Sequence, residues 1–313
     1  MTGVTPAVTF VTGAEGFVGL ELVTLLAVRG HQVFALTPSS DAAQRVRRAG
    51  GIPVMGNLSE PGRWQDEAAA EWVFHAPPYP LRGSRVAGRH VDAIARTRTA
   101  MDAHLLDAVA AGRTRRLVYV ADAGCYGVHG SRPITEDEPR RPSLRARCLA
   151  PALDRLDGYI VAGLPIVTAL PGWIYGDGGW LRERVIDPVL AGRRVLQVGR
   201  TGPWISPIHI HDCVRALVYL AWRGETGGRY FLADDEPIRL HEIAATFARL
   251  AHRSFRLRRV PRFASRLLLG ALTAEDLDVD AVFSNIRLRG IGFHFQYPAL
   301  EQGLQQVVGA LHV

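Results

Sequence analysis

Apolar positions along the first half of the chain fall into two alternating rhythms. Short, nearly continuous apolar runs predict buried strands at residues 7–11, 32–36, 52–55, 72–75, 117–121 and 165–170. Helical spacing between them predicts a helix at 17–29, where Phe17, Leu20, Val23 and Leu26 share a face and Gly30 stops the run. Two longer helices are expected at 91–111, ending at Gly112, and at 143–162. Strands alternating with helices predict an α/β fold built on a parallel, doubly wound sheet. The second half is less regular, punctuated by Gly172, Gly176, Gly178, Gly179, Pro203 and Pro207. Helices are still expected there at 213–222, 240–251 and 300–311.

Between the first strand and the first helix stands Thr12-Gly13-Ala14-Glu15-Gly16-Phe17-Val18-Gly19. The first glycine allows a tight turn, the second lets backbone N–H groups approach a pyrophosphate, and the third lets helix and strand pack closely. A glycine triplet in this strand–turn–helix context predicts a Rossmann-type dinucleotide site formed by Gly13, Ala14, Glu15, Gly16, Phe17, Val18 and Gly19. The second strand ends in Leu36-Thr37-Pro38-Ser39-Ser40, with no acid before Asp41. A carboxylate there would bind ribose hydroxyls and repel a 2′-phosphate. Its absence favours NADP, with Thr37 and Ser39 as expected contacts and Ser40 and Arg45 nearby. NAD, held by Asp41 or by backbone groups, is the alternative. The expected division is a dinucleotide-binding domain over 1–172, rejoined by a segment near 204–226. Residues 173–203 and 227–313 then form a smaller C-terminal substrate lobe over the sheet edge where open α/β sheets bind ligands.

Composition narrows the picture. Of the 313 residues 48% are hydrophobic and 21% charged, enough for a sizeable core. All 37 Lys+Arg residues are arginine, as a GC-rich bacterial genome favours, and the net charge is +7. Arginines cluster at 113–116, 140–147 and 253–259. They read as a solvated basic surface or as a field that captures an anionic small molecule, rather than as a nucleic-acid site. No apolar run is long enough to span a membrane and no signal-peptide pattern opens the chain, so a cytoplasmic protein without membrane contact is expected. Cys125, Cys148 and Cys213 are few and scattered, which fits a reducing compartment. A homodimer is compatible with this reading.

Several segments together resemble the NAD-dependent epimerase/dehydratase branch of the extended short-chain dehydrogenase/reductase superfamily. The glycine loop matches its opening motif. Gly56-Asn57-Leu58 resembles its adenine-contacting Gly-Asp-Leu segment, with Asn57 in place of Asp. Val73-Phe74-His75-Ala76 is similar to its fourth-strand motif, although Pro77-Pro78 follow where alanine is usual. The run from Leu117 to Gly127 aligns with its fifth strand. Pro171-Gly172-Trp173-Ile174-Tyr175-Gly176 and Pro207-Ile208-His209-Ile210-His211-Asp212 resemble two later motifs. The resemblance implies that Asn57, Leu58, His75, Ala76 and Pro171 join the cofactor site.

It also implies a catalytic Ser/Thr, a Tyr, and a Lys four residues after the Tyr that lowers its pKa. By position these fall on Asp122, near Leu144 and near Cys148, and the chain has no lysine to offer. Arg147 is a cation at hand, but arginine holds its proton too tightly to relay it. The expected catalytic candidates are therefore Asp122, Tyr126 and His129, with Cys148 as a remoter one. Desolvation at the end of a buried strand favours a protonated carboxyl near neutral pH; the alternative for Asp122 is a structural cap on the next turn. His209 and His211 lack an evident third ligand, so no metal is expected. Trp173, Tyr175, Trp180 and Trp204 suit a flat or apolar substrate, or simple packing. The expected function is a non-standard NAD(P)-dependent oxidoreductase or isomerase/epimerase working on a small anionic or aromatic metabolite without a Tyr–Lys relay. The alternatives are a redox-neutral cyclase or lyase on the same fold, and a non-catalytic NAD(P)-binding sensor or scaffold.

Overall fold

A computed structural model describes residues 5–77, 90–278 and 280–311. The first part runs β1 (Val8–Thr12), α1 (Phe17–Val28), β2 (Gln32–Thr37), α2 (Ser40–Arg48), β3 (Ile52–Met55), α3 (Trp64–Glu67), β4 (Trp72–His75) and α4 (Val91–Ala111). It continues through β5 (Arg116–Val120), β6 (Gly130–Ile134), α5 (Leu144–Val161), β7 (Ile166–Pro171) and β8 (Trp173–Tyr175). Short elements follow: α6 (Gly179–Leu181), a π-helical turn (Arg182–Ile186), α7 (Asp187–Leu190), β9 (Arg194–Val198), β10 (Trp204–Ile205) and β11 (Pro207–His209). The rest comprises α8 (Ile210–Arg223), β12 (Arg229–Leu232), β13 (Ile238–Arg239), α9 (Leu240–Leu250), β14 (Arg256–Val260), α10 (Arg262–Leu269), α11 (Ala271–Asp276), β15 (Ala281–Phe283), α12 (Ile286–Gly290) and α13 (Leu300–Leu311).

Seven strands form one parallel sheet in the order β12-β7-β5-β4-β1-β2-β3. The strand order reverses between β1 and β4, and this switch leaves a crevice above their carboxyl ends. Because helices cover both faces, neighbouring residues on one strand are buried on opposite sides. Phe10, Val73 and Leu117 pack with Leu105 and Val109 of α4 and Leu149 and Leu153 of α5. Val11, Phe74 and Val118 pack with Leu22 and Leu26 of α1 and Leu217 of α8. A third core joins Val185, Ile243, Phe247, Leu304 and Val307 beside the sheet.

The seventh strand, β12, lies within the segment expected in the smaller lobe. It pairs with β7 from Arg229↔Thr168 to Leu232↔Pro171, so the returning segment runs past residue 226 as far as 232. Helix α8 begins at Ile210 rather than at 213, because the His209 ring caps it by accepting the His211 N–H at 3.2 Å. Pro78, expected to reshape the cofactor loop, lies outside the described residues.

Candidate functional site

The crevice floor is the glycine loop. Gly13 has φ +71°, and a Cβ on it would stand 2.0 Å from the Ala76 carbonyl oxygen. A Cβ on Gly19 would stand 2.1 Å from the Gly13 oxygen, which is how closely α1 and the loop approach. The Gly16 N–H donates to the Gly13 oxygen at 3.0 Å and closes the turn. Gly16 is the N-cap of α1, with no side-chain cap and no acid in the first turn. The first N–H groups of α1 therefore have no acceptor within the helix and carry its positive dipole end. That arrangement fits a pyrophosphate. Gly16, Phe17, Val18, Ala76 and Pro77 line a cavity of about 350 Å³ that continues past Pro171 toward Asp122 and α11. Ala14 is buried in the turn, and Glu15 is partly exposed at its tip.

Several expected cofactor contacts are engaged elsewhere. Thr37 is fully buried and its hydroxyl donates to the Val54 carbonyl at 3.3 Å, so it does not point at a nucleotide. The Ser39 oxygen accepts the Ala42 N–H at 3.3 Å and caps α2. Ser40 and Arg45 are exposed. Asn57 is exposed, and its side-chain oxygen accepts the Ser59 N–H at 2.7 Å. Leu58 is buried, with its carbonyl 2.8 Å from His104 Nδ1.

His75 is likewise turned inward, since β4 sends its side chain beneath the loop. It is fully buried, 2.7 Å from the Thr12 hydroxyl and 2.8 Å from Asp102. Asp102 also accepts from Arg98 at 2.9 and 3.0 Å and from the Tyr119 hydroxyl. Burial alone would raise the Asp102 pKa, but Arg98, His75 and Tyr119 outweigh it and hold the carboxyl at about 2. Burial, partly offset by Asp102, lowers the His75 pKa and keeps the ring neutral. This cluster ties α4 to β1, β4 and β5 directly under the cofactor loop. Only Arg98 also reaches the cavity wall.

At the far end of the cavity β5 delivers Asp122. Its side chain caps the 123–126 turn, accepting the Gly124 N–H at 2.8 Å, and it also pairs with Arg145 Nη1 at 2.7 Å. With about a third of its side chain exposed and a guanidinium beside it, it is not the isolated, desolvated carboxyl expected. Arg145 binds Asp276 of α11 on its other side. Glu275 accepts the N–H groups of Leu144 and Arg145, each at 3.0 Å, and so fixes the start of α5 and the direction of Arg145. Burial raises the Asp276 pKa, with Arg145 opposing.

The other catalytic candidates do not line this cavity. Tyr126 is buried, its hydroxyl donates to the Glu136 carbonyl at 2.9 Å, its ring meets Phe231 edge-on, and burial pushes its pKa up to about 12. His129 Nε2 lies 2.9 Å from the Tyr126 carbonyl oxygen, which turns the ring away from the cavity. Cys148 is buried in the core, and Arg147 pairs with Asp92 at the surface. Of Arg145 and Arg147, it is thus Arg145 that faces the cavity. Two helical residues apart, they point about 200° from one another, and only knowledge of which face of α5 meets the cavity separates them. Trp173 and Trp180 form an edge-to-face pair in the wall, with Arg184 nearby. His209 and His211 sit beside Tyr297; His209 Nδ1 caps α8 and Nε2 meets Gln306 at 3.1 Å, so both ring nitrogens are engaged.

A model of the NAD dependent epimerase/dehydratase family matches residues 9–233. The 4-hydroxy-2-methyl-3-oxo-4-farnesyl-3,4-dihydroquinoline-1-oxide ketoreductase of Stigmatella aurantiaca is 29% identical over 245 residues, 75% of this chain and 70% of that one. An epimerase family protein of Staphylococcus aureus is 30% identical over 112 residues, 36% of this chain and 37% of that one. Among solved structures, UDP-glucose 4-epimerase of Thermotoga maritima with UDP-glucose superposes with a TM-score of 0.80 at 16% identity, covering 97% of this chain and 98% of that chain. The dTDP-glucose 4,6-dehydratase of Bacillus anthracis in complex with NAD gives 0.79 at 16% identity, covering 97% and 96%. Likeness at this identity shows a common fold, and the sequence match over most of the chain adds descent: the protein belongs to the NAD-dependent epimerase/dehydratase family.

Proposed function

We propose that the protein is a nicotinamide-dependent oxidoreductase of ketoreductase type that acts on a small anionic or aromatic metabolite and manages the proton with carboxylates instead of a Tyr–Lys pair. The observation that carries this reading is Arg145, which holds Asp122 and Asp276 together in the wall of the cavity that begins at the glycine loop. The nicotinamide, when bound, supplies the hydride. The first turn of α1 binds the pyrophosphate, and the substrate oxygen is received beside Asp122. Reduction of a carbonyl also consumes a proton. Asp276, whose pKa burial raises, and Asp122, beside the substrate oxygen, are the two carboxyls suited to supply it. Arg145 keeps its own proton and stabilises negative charge developing on the oxygen. Trp173 and Trp180, packed edge to face, offer an apolar aromatic wall, and Arg184, without an acidic partner among the described residues, offers a counter-ion. The Stigmatella relative is named for a farnesylated dihydroquinoline oxide, whose fused benzo ring is the kind of aromatic face such a wall would take. A charged, open cavity supports chemistry over a scaffold role.

NADP is the proposed cofactor. With Thr37 and Ser39 hydroxyls engaged internally, that preference rests on the missing carboxylate at the end of β2 and on exposed Ser40 and Arg45. Calorimetric titration with NADP and NAD, followed by turnover assays on bicyclic aromatic ketones, tests the whole reading. Asp122→Asn and Asp276→Asn should each lower turnover about 10²–10⁴-fold while leaving cofactor affinity and melting temperature nearly unchanged. Full turnover in both variants would remove the proton role. Failure to bind either cofactor at millimolar concentration would remove the oxidoreductase assignment, and tighter binding of NAD would remove the NADP preference.

A further inference from the structure

Helix α10 is almost entirely outside the core: Ser265 is its only buried residue. Phe263 is 91% exposed and Leu267 83%, one helical turn apart on the same face, and the neighbouring Leu268 is 47% exposed. Exposed single apolar residues are ordinary, but two nearly bare large side chains stacked along one short helix are not. Exposed arginines lie close by along the chain: Arg256, Arg258 and Arg259 on β14, immediately before α10, and Arg262 and Arg266 on α10 itself. Strand β9 adds Arg194 opposite Arg256. Among the described residues only Arg262 of this group has an acidic partner, Asp278 at 2.6 Å.

We propose that α10 docks the protein on an anionic lipid surface, with Phe263, Leu267 and Leu268 entering the headgroup layer and the arginines of β14 and α10 pairing with phosphates. The geometry favours a bilayer over a protein partner. Three side chains fall far short of the roughly 800 Å² per partner that a stable interface needs. A small apolar tip accompanied by unpaired basic residues is what shallow interfacial binding uses, since arginine stems lie on apolar surface while their heads meet anionic groups. The docked face also adjoins the cavity. Gly270 joins α10 directly to α11, whose Leu272, Thr273, Glu275 and Asp276 line the cavity wall. Docking would therefore set that wall close to the lipid surface.

Co-sedimentation of the full chain with vesicles tests this independently of catalysis. Vesicles of phosphatidylcholine with about 30% phosphatidylglycerol should bind the protein at least tenfold more tightly than phosphatidylcholine alone, and 0.5 M salt should weaken the binding. Phe263→Ser with Leu267→Ser should cut it at least tenfold, as should Arg256→Gln with Arg258→Gln and Arg259→Gln. Melting temperature and cofactor affinity should stay at wild-type values in both sets, because the substituted side chains lie outside the core. No binding to anionic vesicles would overturn the proposal, as would binding unaffected by either set. A dimer in solution that Phe263→Ser with Leu267→Ser dissociates would assign the patch to self-association and equally overturn it.

Discussion

Gly13 shows what one residue decides here. Its φ of +71° suits only glycine well, and its α-hydrogen fills the place where a methyl would strike Ala76 and Pro77. Gly13→Ala must shift the β4 end or the loop, so it should cost about 2 kcal/mol or more in urea unfolding and should weaken cofactor binding by two orders of magnitude. Wild-type values for both would mean that the loop relaxes freely and does not cradle a ligand. The glycine was legible because strand, triplet and helix follow one another locally. Arg145 was not. Its role depends on Glu275 and Asp276, about 130 residues later, turning α5 so that Arg145 rather than Arg147 meets Asp122. Asp122 was reached through position alone, and neither its pairing with Arg145 nor its partial exposure has any local signature.

At the scale of elements, α4 does more than cover the sheet. Arg98 and Asp102, one turn apart on it, meet His75 and Tyr119 under the glycine loop. Asp102→Ala would leave a buried guanidinium without its counter-charge. A loss of about 3–5 kcal/mol is expected, read by urea unfolding, with cofactor affinity falling as the β1 and β4 ends loosen. A loss below about 1 kcal/mol would show that water replaces the carboxylate. The long helices α4 and α5 were predicted nearly to their ends because each carries enough turns to reveal its period, and the six strands read from the sequence because both faces of a parallel sheet are buried, which leaves a run of apolar residues bounded by polar ones. Strands β8 to β11 and β13, two to five residues each and outside the large sheet, carry no such run, and each is defined by its partner strand.

At the scale of the whole molecule, the sheet meets β8 at another buried polar point. Asp234, just after β12, is buried beside Tyr175 of β8, and no cation pairs with it among the described residues. Burial raises its pKa well above the usual carboxylate range, and the charges of Asp212 and Asp235 add to the effect. A raised folded-state pKa means that stability is fully present below the unfolded value and is lost as pH rises through the folded one. Asp234→Asn removes that titration. Melting temperatures of the wild type should therefore fall more steeply than those of the variant as pH rises above the unfolded carboxylate value of about 3.9. Parallel curves would assign the wild-type slope to other groups. The sequence by itself determined the alternation of strand and helix, the glycine turn between β1 and α1 and the absence of lysine, because all three are matters of local spacing or composition. Only the tertiary structure decided that β12 completes the sheet, that His75 and Thr37 face inward, and that Arg145 joins two carboxylates into one site. Each of these depends on contacts between distant segments, whose direction is fixed by packing that no local window contains.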